Sequence, residues 1–121
     1  MTFEEYTNLA LRTARSDYDR RSLLLNWTLG ICGEAGEFAD SVKKFEFHGH
    51  TTDKEELKDE LGDVLWYVAM LCEVLGFSME QVALDNVRKL KNRYPKGFDP
   101  ERSINRRVEN ENKPDKSTES S

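Results

Sequence analysis

The feature that most constrains this chain is its punctuation. At three places a hydroxyl residue is followed three positions later by Glu or Gln, at the head of an apolar run with helical spacing: Thr2 with Glu5, Thr52 with Glu55, and Ser78 with Gln81. In such a capping box the hydroxyl accepts from an amide of the first turn, and the Glu or Gln side chain reaches back to the cap amide, so each box marks a helix start. The boxes place helices over 3–14, 53–75 and 79–93. Gly76 closes the middle one as a left-handed cap, and the last must end before Pro95. Another helix, with a weaker start between Ser16 and Asp19, runs to Phe47, and HGHTT joins it to the next. No stretch alternates with the period of a strand, so the expected fold is all-α, with about four helices per chain.

Composition narrows the function classes. A single domain of 121 residues with a net charge of -5 lacks the basic field that general nucleic-acid binding requires. No apolar run approaches the roughly 20 residues needed to cross a bilayer, and MTFEEYTNLA is not laid out as a signal peptide. Cys32 and Cys72 lack zinc-like spacing and read as buried free thiols in a reducing cytoplasm. His48 and His50 have no further ligands beside them in the sequence and are set aside. Residues 1–98 are the expected domain; 99–121 read as a polar, disordered tail.

Drawn at about 100° per residue, the second helix carries the stripe Leu24, Trp27, Ile31, Ala35, Phe38, Val42 and Phe45. Glu34 and Glu37 lie at about 60° and 120° to one side of Ile31. The third helix repeats the arrangement: its stripe is Leu57, Leu61, Val64, Val68, Leu71 and Leu75, with Glu60 and Asp63 on the same shoulder. Two ionised carboxylates about 6 Å apart repel by about 3 kcal/mol at an effective dielectric of about 20. An acidic i, i+3 pair is commonplace on a surface helix, and solvated acidic faces are one reading. Three features favour the other, a divalent-cation site of hard oxygen ligands. Both pairs occupy the same shoulder, the third helix is apolar well beyond one face, and Gly30, Gly33 and Gly36 surround the first pair where small residues suit close approach.

The fourth helix sets Asn86, Lys89 and Arg93 on one face beside an apolar seam of Val82, Val87 and Leu90. An amide and two cations there can clamp a polyphosphate; cations near a helix C-terminus also simply complement its dipole. Tyr67 lies on the carboxylate side of the third helix. Trp27 and Trp66 read first as packing or subunit contact and second as base-stacking surfaces.

GEAGEFAD, KDELGDVLWYVAML and NVRKLKNRYPKGF together resemble the MazG-type nucleoside triphosphate pyrophosphohydrolases of the all-α NTP-pyrophosphatase superfamily, over Asn26 to Phe98, with ExxE and ExxD separated by 22 residues. The resemblance implies Mg²⁺, with Mn²⁺ as a substitute, bound by Glu34, Glu37, Glu60 and Asp63, which are also the catalytic set. It implies substrate contacts from Asn86, Lys89 and Arg93, with Tyr67 on the same side. The implied reaction cleaves a nucleoside triphosphate between the α and β phosphates to monophosphate and pyrophosphate.

Apolar residues beyond one stripe on short helices leave surface that a lone monomer would expose, so a homodimer or homotetramer is expected. A carboxylate-bridged di-iron bundle needs ExxH pairs, which are missing. The remaining rival is a non-catalytic helical regulator or adaptor with solvated acidic faces.

Overall fold

The computed structural model describes residues 1–51 and 53–111. These form five helices and, among the described residues, no strand: α1 (Phe3–Leu11), α2 (Arg20–His48), α3 (Lys54–Leu75), α4 (Met79–Arg93) and α5 (Pro100–Glu111). They fall into two compact units, Met1–Val82 and the chain from Ala83 onward, which divide α4 between them.

The caps explain the boundaries. Thr2 and Glu5 close a reciprocal capping box, with Thr2 N–H donating to Glu5 Oε2 at 2.9 Å and Glu5 N–H donating to Thr2 Oγ1 at 3.1 Å. Asp19 caps α2 by accepting from Ser22 N–H at 2.8 Å. Ser78 Oγ accepts from Gln81 N–H at 3.2 Å at the start of α4. Thr52, the expected cap of α3, lies outside the described residues; Asp53 takes the position and accepts from Glu55 N–H. Gly76 ends α3 at φ 77°, where a Cβ would be strained, and its amide reaches back to the Cys72 and Glu73 carbonyls.

α5 occupies ground that composition assigned to the tail. Its signal is local: Asp99 Oδ1 accepts from Glu101 N–H at 3.0 Å, Pro100 sits at the first helical position, and Glu101 places an anion in the first turn. The rest of the expected tail, 112–121, lies outside the described residues.

In the first unit, α2 and α3 pack against each other along their lengths. As α2 advances from Gly30 to Ser41, its partners on α3 fall back from Tyr67 to Glu60, so the pair is antiparallel. α1 lies on the C-terminal half of α3, and the core gathers there: Ala10, Trp27, Ala69, Met70, Cys72 and Met79. Thr13 Oγ1 accepts from Trp66 Nε1 at 2.9 Å, tying the end of α1 to α3. Arg20 Nε donates to the Val74 carbonyl at 2.9 Å, satisfying one of the open carbonyls at the end of α3.

Two expectations are corrected by this packing. On α3 the fully buried residues are Ala69, Met70 and Cys72, beside the expected stripe, of which Leu57, Val64, Val68 and Leu71 are half-buried and Leu61 and Leu75 exposed. The helix is apolar nearly all round, and the choice of face is made by α1, which the wheel of α3 cannot see. Cys72 is buried as expected, whereas Cys32 is exposed.

At Gly30 a side chain of α3 lies directly against the backbone of α2. A Cβ there would sit 2.8 Å from Tyr67 Cδ1 and nearer still to Cε1 and Cζ, while Gly33 and Gly36 have open space around them. The close approach expected of these glycines is therefore made at Gly30, by an aromatic ring of the same chain. Tyr67 completes a triangle of rings with Trp27 and Trp66, its centroid 6.1 and 5.0 Å from theirs, which limits its room to withdraw. Gly30→Ala is thus expected to lower unfolding free energy by about 1–3 kcal/mol in urea titrations. Gly62→Ala, mid-helix with nothing within 4 Å of its Cβ position, is expected to raise it by up to about 1 kcal/mol. Equal effects of the two substitutions would refute the ring-on-backbone contact.

Candidate functional site

The helix seam itself places two of the expected carboxylates. On α2 the half-buried positions after Trp27 are Gly30 and Ile31, then Glu34, Phe38 and Ser41 at three- and four-residue steps from Ile31. On α3 they are Leu57, Glu60, Val64, Trp66, Tyr67, Val68, Leu71 and Val74, of which Leu57, Glu60, Val64, Tyr67 and Leu71 follow one another at three- and four-residue steps. Glu34 and Glu60 therefore belong to the seam, and Glu37 and Asp63, three residues further along, are exposed beside it.

Ser41 Oγ donates to Glu60 Oε1 at 3.0 Å, from α2 across to α3. Glu60 Oε2 is buried and has no hydrogen-bond partner, and Glu34 Oε2 is in the same state. Leaving a carboxylate oxygen buried and unpaired is costly, more so than for a neutral group. Burial, followed by the charge of Glu37, the charge of Asp63, a hydrogen bond shared with Glu37 and the charge of Glu60, pushes the Glu34 carboxyl above its ordinary range. The other three expected acids thus all act on Glu34. Among the described residues the ion pairs are Arg15–Asp17, Lys44–Asp40, Lys58–Glu55 and Arg88–Asp85, and none involves these four.

No three of the described His, Cys, Asp and Glu side chains lie close enough together to surround one ion. The four acids share a field rather than a finished coordination shell. Their chemistry still fits a hard divalent cation: the donors are all oxygens, two of them buried and unsatisfied, and none is in an ion pair among the described residues.

Tyr67 stands where the site opens. With Glu34, Asp63 and Trp66 it lines a cleft of about 270 Å³. Trp66 is committed to packing: besides its bond to Thr13, it meets Trp27 edge-on at 5.1 Å. Trp27, 6% exposed, is core. Asn86, Lys89 and Arg93 belong to the second unit, where Asn86 and Lys89 are exposed and Arg93 is half-buried, its carbonyl accepting from Arg102 Nη1 at 3.4 Å.

Ser41 and Tyr6 went unnoticed in the sequence. Tyr6, on α1, has its phenol pushed up by burial and by the charge of Asp63, which puts α1 at the edge of the acidic group. Ser41 lies seven residues after Glu34 and so on the same helix face, but an isolated serine carries no signal until its partner on α3 is known.

Residues 24–98 match the MazG nucleotide pyrophosphohydrolase domain. The chain is similar to Gene 37 protein of Mycobacterium phage L5, 37% identical over 95 residues that make up 75% of this chain and 83% of that protein. It is also similar to Uncharacterized protein YvdC of Bacillus subtilis (strain 168), 34% identical over 70 residues, 50% of this chain and 66% of that protein. No solved structure matches.

Because Glu34 is crowded by like charges and has an unpaired buried oxygen, Glu34→Gln is expected to raise the melting temperature of the protein in EDTA at neutral pH. An unchanged or lower melting temperature by circular dichroism would show that the crowding carries no cost.

Proposed function

Starting from the family to which this chain belongs, that of the MazG nucleotide pyrophosphohydrolase domain, we propose that it hydrolyses nucleoside triphosphates between the α and β phosphates, releasing monophosphate and pyrophosphate. The observation that supports this reading most directly is the pair of buried, unpartnered oxygens, Glu34 Oε2 and Glu60 Oε2, in a group of acids whose charges converge on Glu34. Four carboxylates with no ion pair among the described residues are a poor structural device and a good receptor for a hard dication.

Glu34, Glu37, Glu60 and Asp63 would hold Mg²⁺, or Mn²⁺ in its place, which when bound neutralises the triphosphate and polarises the α-phosphoryl group. One of Glu34, Glu37 and Glu60 takes the proton of the water that attacks the α phosphorus, as the bond to the bridging oxygen breaks and pyrophosphate departs. For Glu34, burial and crowding by like charges make the carboxylate a stronger base than an isolated one. Tyr67, its ring packed on Gly30, Trp27 and Trp66, borders the cleft with Glu34 and Asp63 and contacts the nucleotide from there. Asn86, Lys89 and Arg93 carry an amide and two cations on one face of α4, a set suited to phosphate oxygens. The reaction serves control or cleansing of the cytoplasmic nucleotide pool.

The working form is a homodimer or larger. In the first unit Leu25, Leu29, Leu61 and Leu65 are 56%, 68%, 54% and 37% exposed on the α2–α3 pair, and a second copy of the chain is the proposed cover.

With Mg²⁺ and a panel of NTPs and dNTPs, the purified chain is expected to form monophosphate and pyrophosphate, and Glu60→Gln to lose about a hundredfold or more of this turnover. Release of orthophosphate would contradict the bond assignment. Absence of turnover with every nucleotide would favour a non-catalytic helical regulator. Gel filtration is expected to show an assembly larger than the 14.0 kDa chain, and a compact monomer would reject the assembly.

A further inference from the structure

The hydrogen bond from Ser41 to Glu60 divides the two oxygens of one carboxylate between different tasks. Oε1 is held by the Ser41 hydroxyl at 3.0 Å, and Oε2 is left buried and unpartnered beside the other acids. Both residues are half-buried in the α2–α3 seam, where a carboxylate free to rotate could find several orientations. A donor on one oxygen selects among them. The chemistry of the donor matters as well: a lysine or arginine in that place would orient Glu60 equally well but would neutralise it and compete with a cation. A serine hydroxyl orients the group and leaves its charge intact. The nearby cation on α2, Lys44, is engaged instead by Asp40 at 2.7 Å.

We propose that Ser41 is a positioning residue for a divalent cation: by holding Glu60 Oε1 it presents Oε2 to the ion, and so sets the affinity of the site for metal. This rests on the reading of the acidic group as a metal site. Groups that orient a ligand from behind are worth about 10- to 100-fold in metal affinity where they have been removed.

The test is calorimetric titration of the full chain with Mn²⁺ in the absence of nucleotide, using wild type, Ser41→Ala, Glu60→Gln and the double variant, each checked for native helicity. Ser41→Ala is expected to weaken Mn²⁺ binding by about 10- to 100-fold. In the Glu60→Gln background the same substitution is expected to change the affinity no further, because the group it positions is already gone. Unaltered Mn²⁺ affinity in Ser41→Ala, or an equal loss with and without Glu60, would overturn the role of Ser41 while leaving the metal site standing. A wild-type chain that takes up no Mn²⁺ would overturn both.

Discussion

The structure of the first unit depends on how closely α2 and α3 approach at Gly30. The Tyr67 ring lies against the α2 backbone there, and Trp27 and Trp66 pack with it as a triangle of rings. That one contact sets the register of an antiparallel pair whose other end joins Ser41 to Glu60. Were the helices held apart by a methyl group, the aromatic trio would have to repack, and Glu34 and Glu60 would no longer be drawn into the same seam. The packing that stabilises the pair is thus also what crowds the acids.

This crowding has a physical consequence. A seam between two helices is ordinarily filled by apolar groups, which gain by leaving water. Here two carboxylates stand in it, each with an oxygen that neither solvent nor protein satisfies, and Glu34 responds by holding its proton more tightly. Folding energy from the aromatic and apolar core, around Ala69 and Met70, offsets that local penalty. Polar groups kept under such strain mark the part of a fold shaped by something other than stability.

Much of the secondary structure was legible because its signals are local. Thr2, Asp19, Ser78 and Gly76 act within a few residues of themselves, and each does in the structure what its chemistry implies. Asp53, one residue beyond the expected Thr52, shows how neighbouring candidates for a cap are hard to separate. The helix opened by Asp99 and Pro100 was hidden for a different reason: composition averaged over a polar segment concealed a two-residue start signal.

The sequence by itself determined that the chain is helical, where most helices begin and end, and which acids share a helix face, because these follow from backbone capping and a 100° period. Only tertiary structure decided which face of α3 is buried, that Trp66 is spent on Thr13, that Gly30 rather than Gly33 or Gly36 is the point of contact, and that Ser41 steadies Glu60. Each of these is a relation between residues far apart in the chain. A helix apolar on most sides cannot choose its own buried face, since burial is conferred by whatever packs against it.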